Sequence, residues 1–217
     1  MKTLFAKSIA LIFLLSSLSA QAGLLAIENS PEKLEKVTLG KAAVAQIEDQ
    51  AVPLTAVGAG LRSKKVVFVN VRVYVGQLFA SDIPKFKFSE TEALDSIHDQ
   101  KAVAIQLHFL RDVDADNVQK SFKEALTANG VKLDESGVKQ FLEAVSSGGE
   151  AKEGKALTIL GAKLKDGSEV VFYETTSGNV SQIKGSAGFV KNIFSIWLGK
   201  PSDDGVAKLK KSIVQLK

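Results

Sequence analysis

The sequence predicts an α+β fold built around a mainly antiparallel β-sheet. Three observations indicate this class: strand-like segments fill the first half of the chain, a pair of amphipathic helices follows them, and a hairpin then precedes two further helices. Strands and helices do not alternate as they do in parallel βαβ proteins, so we expect neighbouring strands to run in opposite directions.

The first 22 residues have the pattern of a cleaved secretory signal peptide. Two lysines, at positions 2 and 7, precede an apolar run over residues 9–18, and the small-residue cleavage site Ala20-Gln21-Ala22 follows it. We therefore expect a single mature domain of residues 23–217 in a periplasmic or secreted protein. The apolar run is too short to cross a bilayer, so no transmembrane anchor is expected.

Composition indicates that this domain is held together by its core. It is long enough to bury a sizeable core, and the chain has no cysteine for disulfides, thiol chemistry or lipid attachment. The whole chain has 28 basic and 24 acidic residues, which nearly balance, and the lysines are scattered among acids. The sequence thus shows no clustered basic patch of the kind that binds nucleic acid. It leaves the oligomeric state and any partner protein open.

The first mature residues up to 36 are expected to be a poorly ordered lead-in. Strand-like segments then cover residues 37–47 and 52–57, with a turn expected at Asp49-Gln50. The motif Gly58-Ala59-Gly60-Leu61-Arg62 follows as a corner, because its glycines permit close approaches that a side chain would block.

Residues 66–75 are predicted to form one strand with two unlike faces. The odd positions from 67 to 75 are all valine, whereas the even positions between them are Phe68, Asn70, Arg72 and Tyr74. Such a mixture of aromatic, polar and cationic side chains suits the wall of a ligand cleft. A half-exposed edge strand with a few large side chains is the alternative.

The middle of the chain predicts a short helix, a strand and a helix pair. Ser89-Glu90-Thr91-Glu92 has the form of a capping box, and residues 103–109 alternate as in a one-sided strand. Apolar residues at helical spacing predict one helix over residues 118–126, capped by Gly130, and a second over residues 134–146.

The last part predicts a hairpin and two helices. Asp166-Gly167 lies between two strand-like runs, and residues 178–184 are one more short strand. A helix over residues 189–197 is expected to end at Gly199, and Ser202-Asp203-Asp204 is expected to start the final helix.

The residues predict no metal, nucleotide or cofactor site. His98 and His108 have no further ligands at metal-binding spacing. The glycines at 58 and 60 are followed by a strand, whereas a phosphate loop opens a helix. The alternating acids at 112, 114 and 116 lack the glycine and glutamate of a calcium loop, and we expect them to be acids at a helix N-terminus.

The motif at residues 58–62 resembles the G-A-G-V-R motif of chalcone isomerase and its relatives. The order of the following elements, including the Trp197-Leu198-Gly199 helix end, is similar to that family over most of the mature chain. The resemblance implies an open-faced β-sandwich, with a long antiparallel sheet, helices layered on one face and an apolar cleft between them.

The resemblance implies two possible functions. In the catalytic members an arginine, here Arg62, assists an intramolecular ring closure together with a threonine, a tyrosine and an asparagine. Tyr74 or Val69 takes the place of the threonine, and residues 111–122 contain no tyrosine. Three of the four catalytic positions therefore depart from the pattern. Other members bind fatty acids without catalysis, through the same arginine and a tyrosine on the next strand, and Arg62 with Tyr74 resembles that pair.

The first hypothesis is a non-catalytic carrier of a fatty acid or similar apolar carboxylic acid. Its ligand-binding candidates are Arg62, Tyr74, Arg72, Val69 and Asn70. A guanidinium can bind a carboxylate through two parallel hydrogen bonds, and a phenol can add a third donor. The alternative is an isomerase of the intramolecular lyase type that acts on an unsaturated carbonyl compound, with Arg62 as the electrostatic stabiliser.

This site requires that the chain reverse between its two main residues. Twelve extended residues span about 40 Å, which is too far for Arg62 and Tyr74 to share one ligand. We expect the reversal at residues 63–65, with Arg72 as the substitute anchor if the chain does not reverse.

Overall fold

In the computed structural model, which describes residues 23–215, eight strands form one antiparallel sheet. They are β1 (Leu25–Leu34), β2 (Val37–Ile47), β3 (Gln50–Val66), β4 (Val69–Ala80), β5 (Ala102–Phe109), β6 (Ala156–Lys163), β7 (Glu169–Glu174) and β8 (Val180–Gly185). Each strand pairs with the one before it in the chain, so the order in the sheet is the order in the sequence. The predicted α+β class with an antiparallel sheet is confirmed.

Helices cover one face of this sheet. They are α1 (Ala93–Ser96), α2 (Ala115–Ala128), α3 (Ser136–Ser147), α4 (Phe189–Leu198) and α5 (Asp204–Val214). The main core lies between these helices and β4 to β7, and its fully buried members include Leu78, Ile105, Phe141, Ile159 and Trp197. The helix pair and the two last helices form where apolar spacing predicted them, because each presents one apolar stripe to the sheet.

The N-terminal strands cover the opposite face of the sheet. Gly40 of β2 lies against β4, where the Gln77 side chain accepts a hydrogen bond from the Gly40 nitrogen at 2.9 Å and donates one to its carbonyl at 2.6 Å. Just before β1, the Leu24 nitrogen donates a hydrogen bond to the Glu174 carboxylate of β7 at 3.1 Å. A second apolar cluster, with Leu54, Phe79 and Leu160 among its members, fills the space between. The expected open-faced β-sandwich is thus confirmed.

The expected lead-in and the expected strand at residues 66–75 are both wrong in detail. Residues 25–34 form β1, whose polar sequence suits an exposed edge strand and therefore shows little alternation. Val67 and Phe68 form a two-residue turn, so the valine-rich stretch is divided between β3 and β4. The chain does reverse between Arg62 and Tyr74, but after residues 63–65. Strand propensity is a weak guide here because the whole hairpin end is exposed.

The glycines of the 58–62 motif lie directly under α5. A Cβ atom on Gly58 would lie 2.2 Å from the Ile213 carbonyl oxygen, and one on Gly60 would lie 2.8 Å from the Ser212 Cβ. Neither distance is sterically possible, so only glycine allows the helix to pack this closely on β3. The motif therefore positions α5, and through it the residues at the start of that helix.

Two further findings concern the ends of the chain and the membrane. Residues 1–22, to which the signal-peptide prediction applies, lie outside the described residues. Across residues 23–215, none of the helices has the length and apolar character needed to span a bilayer.

Candidate functional site

A cavity of about 270 Å³ lies between the β3–β4 hairpin, helix α2 and the start of α5. Its volume is just below the range of about 300–1,000 Å³ that is usual for small-molecule sites. The walls are largely apolar and come from six elements and a loop: Val66, Val71, Val73, Leu107, Phe109, Val113, Val118, Phe122, Ala125, Ile196 and Val206.

Arg62 lies at one end of this cavity with its charge buried. Its side chain is only 7% exposed, and Nη2 donates to the Asp203 Oδ2 atom at 2.6 Å. Nη1 donates to the carbonyl oxygen of Ser63. Gly205 makes room for this arrangement, because a Cβ atom there would lie 2.1 Å from Nη1. The guanidinium is therefore enclosed by β3 and the first turn of α5.

Asp203 links the arginine to the helix. Its Oδ1 atom accepts hydrogen bonds from the backbone nitrogens of Gly205 at 2.8 Å and Val206 at 3.0 Å, which makes it the N-cap of α5. The other oxygen binds Arg62, and the side chain remains 40% exposed. One carboxylate thus caps the helix and neutralises the buried guanidinium.

Tyr74 faces the same cavity from β4. Arg62 and Tyr74 are direct partners in the β3–β4 ladder, and the phenol oxygen accepts a hydrogen bond from Trp197 Nε1 at 3.2 Å. Burial raises the pKa of Tyr74, although the nearby Arg62 charge acts in the opposite direction. The phenol is therefore neutral at ordinary pH and keeps its own proton available for donation.

A β-bulge decides which residues of β4 face the cavity. Arg62 pairs with Tyr74 but Ser63 pairs with Arg72, so Val73 is an extra residue on β4. As a result Val71 and Val73 line the cavity together with Tyr74. The expected common face of Asn70, Arg72 and Tyr74 is wrong, because a bulge breaks the alternation of side chains.

Three of the five sequence candidates consequently lie away from the cavity. Val69 and Asn70 are exposed near the end of the hairpin. Arg72 forms an ion pair with Glu35 of the β1–β2 turn, and its side chain is 63% exposed. The structure brings Arg62 and Tyr74 together and leaves these three outside the lining.

Sequence reasoning missed several residues that the structure places in the lining. The sequence indicates Asp203 only as part of a helix start, and strict alternation predicts the wrong face for Val71 and Val73. Asn117 and Ser121 of α2 also reach the cavity, although they follow no motif. Their one signal is that they lie on α2 beside its apolar stripe, next to Val118 and Phe122.

The cavity mouth carries charges of both signs. Lys64 and Arg111 lie there with Asp112, Asp114 and Glu124. The Asp112 Oδ1 atom accepts a hydrogen bond from the Glu153 nitrogen at 2.7 Å, which lowers the pKa of that carboxyl, and Lys152 lowers it further. Within residues 23–215, no group of His, Cys, Asp or Glu side chains is arranged to hold a metal ion. The apolar walls and the buried arginine suit a ligand with an apolar body and a polar end.

Comparison with known proteins agrees with this architecture. The crystal structure of a fatty-acid-binding protein from Arabidopsis thaliana superimposes with a TM-score of 0.56 at 16% identity, covering 86% of this chain and 96% of the other. A search of curated proteins found no match. The model of a family described as chalcone isomerase-like matches residues 32–214. With a family match over most of its length and the expected sheet and helices in place, the chain belongs to the chalcone isomerase-like family.

Proposed function

We propose that the protein is a non-catalytic binding protein for a fatty acid or similar apolar carboxylic acid. The observation that carries this proposal is a buried guanidinium, that of Arg62, in the lining of a largely apolar cavity. The structural similarity to a plant fatty-acid-binding protein supports the same kind of ligand. The acyl chain would lie against the walls from β4, β5 and α2, with its carboxylate at Arg62 and Tyr74.

The energetics favour an acid of moderate length. Each methylene that moves from water to the cavity walls contributes about 0.8 kcal/mol. A hydrogen bond to a charged group contributes about 1.5–3 kcal/mol, and the neutral Tyr74 phenol is a further donor near the same point. Because the cavity has only about 270 Å³, we expect affinity to rise with chain length and then to stop rising.

Asp203 competes with a ligand carboxylate for Arg62. Its Oδ2 atom already accepts a hydrogen bond from Nη2 of Arg62. A ligand carboxylate is expected to replace that oxygen, while Oδ1 continues to cap α5. The exchange is feasible because the Asp203 side chain is 40% exposed and water can solvate the released oxygen. Asp203 would thus weaken acid binding and allow release.

The test is a titration with saturated fatty acids of eight to sixteen carbons, in which binding is measured by calorimetry and by Trp197 fluorescence. Trp197 is the sole tryptophan and bonds to Tyr74, so it reports on the polar end of the cavity. We expect dodecanoate to bind at least tenfold more tightly than dodecanol, because only the acid pairs with Arg62. Equal affinity for the two probes, or no binding of either, contradicts the proposal.

Two variants and one control locate the site. Ser121→Leu fills the cavity from α2 without touching Arg62, and we expect it to abolish dodecanoate binding. Arg62→Lys keeps the charge but loses the planar fork, and we expect at least a tenfold loss. Arg72→Ala is the matched control and should bind like the wild type. Cyclisation of a chalcone by the wild type, lost in Arg62→Lys, would instead indicate the isomerase function.

We also propose that the protein is exported, on the basis of the signal-like pattern in residues 1–22. Expression of the full chain in a Gram-negative host, followed by fractionation and N-terminal sequencing, tests this. A periplasmic product that begins at Gly23 is expected, and a cytoplasmic product that retains Met1 contradicts it.

A further inference from the structure

The β3–β4 hairpin ends in four consecutive exposed apolar residues, which we call the apolar tip (residues 66–69). Their exposed fractions are 50% for Val66, 75% for Val67, 92% for Phe68 and 64% for Val69. Only two other large apolar residues are exposed within residues 23–215, Val44 and Val180, and they lie on separate strands. Exposed apolar surface is therefore concentrated at the apolar tip, which is typical of an interaction site.

The type of turn does not explain this sequence. The three hairpins that join β1 to β4 all have two-residue turns whose first residue has a positive φ: Glu35 at 55°, Glu48 at 51° and Val67 at 55°. The other two turns carry charged pairs, Glu35-Lys36 and Glu48-Asp49. A β-branched residue is especially disfavoured in this left-handed region, so Val67 costs more stability than an asparagine or aspartate there would. We infer that the apolar tip serves binding.

The charged residues within the hairpin segment 62–75 are all positive. Lys64 and Lys65 precede the apolar tip on β3, and no acidic residue occurs between Arg62 and Val75. Lys65 pairs with Asn70 across the hairpin, so the lysines lie just behind the apolar side chains. An apolar end with a cationic collar matches a bilayer surface, where acyl chains lie beneath anionic head groups.

We propose that the apolar tip inserts into the surface of an anionic phospholipid bilayer, with Lys64 and Lys65 at the level of the head groups. A second copy of the chain fits less well, because a symmetric contact between two tips would bring their lysines together. A protein groove fits less well too, because the three valines and the phenylalanine of the apolar tip offer no side-chain donors or acceptors for specific pairing.

The apolar tip is continuous with the cavity. Val66 belongs to both, and Lys64 and Val71, which pair across the hairpin, line the cavity behind it. Docking would therefore hold the cavity mouth at the membrane surface, where an apolar acid could enter without crossing water. This second step rests on the proposed function, whereas the docking itself does not.

The test is co-sedimentation of the mature chain with vesicles of phosphatidylcholine alone and of phosphatidylcholine with phosphatidylglycerol at three to one. We expect at least tenfold stronger partition into the anionic vesicles. Phe68→Ser should reduce that partition at least tenfold, and Lys65→Glu by about fivefold or more, given about fivefold per lysine near such a surface. Val180→Ser removes an exposed valine elsewhere and should change nothing.

Several results would overturn the proposal. They are absence of binding to anionic vesicles, unchanged binding of Phe68→Ser, or a concentration-dependent dimer in gel filtration that Phe68→Ser abolishes. Dodecanoate titration in solution separates the two proposals. Phe68→Ser should keep dodecanoate binding, and Ser121→Leu should lose it while still binding vesicles.

Discussion

Two arginines on neighbouring strands, Arg62 and Arg72, bind carboxylates on opposite faces of the same hairpin. Arg62 pairs with Asp203 beneath α5, and its side chain is 7% exposed. Arg72 pairs with Glu35 of the β1–β2 turn, and its side chain is 63% exposed. Both arginines have the same chemistry in the sequence, but only Arg62 is buried and lines the cavity between the hairpin, α2 and α5.

The difference shows that burial, and not the presence of an ion pair, marks the candidate site. An exposed pair gains little because water and salt screen it, with a usual contribution of about 0–1 kcal/mol. A buried charge that loses its partner, or a carboxylate that loses its buried partner, costs much more. The following changes should therefore affect the two arginines very unequally.

The largest effect is expected from Arg62→Ala. It removes the partner of Asp203, leaves a void beneath α5 and should lower the free energy of unfolding by about 3 kcal/mol. This is the lower end of the range for a broken buried pair, because Asp203 is partly exposed. Urea denaturation measures the loss. A loss equal to that of Arg72→Ala would show that the two pairs do not differ.

Gly205→Ala should have the next largest effect. The added Cβ would lie 1.9 Å from the Ser63 carbonyl oxygen and 2.1 Å from Arg62 Nη1, so the first turn of α5 must move away from β3. We expect a loss of roughly 2 kcal/mol in the free energy of unfolding. Ala207→Ser in the same helix is the control, at about 0.5 kcal/mol. Equal losses for both would argue against tight packing at Gly205.

Asp203→Asn should cost about 2 kcal/mol, since asparagine still caps the helix but leaves the buried Arg62 guanidinium without its charged acceptor. The same change should strengthen dodecanoate binding, because the internal competitor has lost its charge. Calorimetry and urea denaturation on the same sample give both quantities. Asp203→Ala also removes the cap and should be less stable by about 1 kcal/mol more. Weaker dodecanoate binding by Asp203→Asn would refute the competition.

On the face of Arg72, His108 should make stability depend on pH. Burial lowers the pKa of His108, whose Nε2 lies 2.8 Å from the Gln106 side-chain oxygen. The unfolded chain therefore takes up this proton first, and stability should fall as the pH drops below about 6.5. Urea midpoints at pH 7.5 and 5.5 measure the change. His108→Gln should reduce it, whereas His98→Gln, at an exposed position, should retain it.

The smallest effect is expected from Arg72→Ala. Its partner Glu35 lies in an exposed turn, so the free energy of unfolding should change by less than about 0.5 kcal/mol. High salt should remove even that difference. A loss above 2 kcal/mol would mean that the outer ion pair anchors the β1–β2 hairpin.

The sequence was sufficient for the fold class and for the main pair of the candidate site. Period-two and helical spacing located most strands and the four longer helices, because one face of each element is buried. Arg62 and Tyr74 were selected by resemblance, and they do meet across the ladder.

Three features of the structure could not be predicted, because irregular or distant pairing leaves no local signal in the sequence. The bulge at Val73 carries no signal in a run of valines, so Arg72 was assigned to the wrong face. Asp203 reaches Arg62 across 141 residues, and nothing local to either residue indicates that contact. The turn at Val67-Phe68 lacks the glycine or asparagine that usually marks a hairpin.

The long separation between Arg62 and Asp203 also orders the events of folding. A chain made from its N-terminus contains the arginine long before α5 exists, and β3 can pair with β4 in the meantime. Until α5 is synthesised, Arg62 lacks its carboxylate partner, and Gly58 and Gly60 are not covered by the helix. Docking of α5 is therefore the step that completes the site. A chain that ends before that helix would leave this surface of β3 exposed to proteases and chaperones.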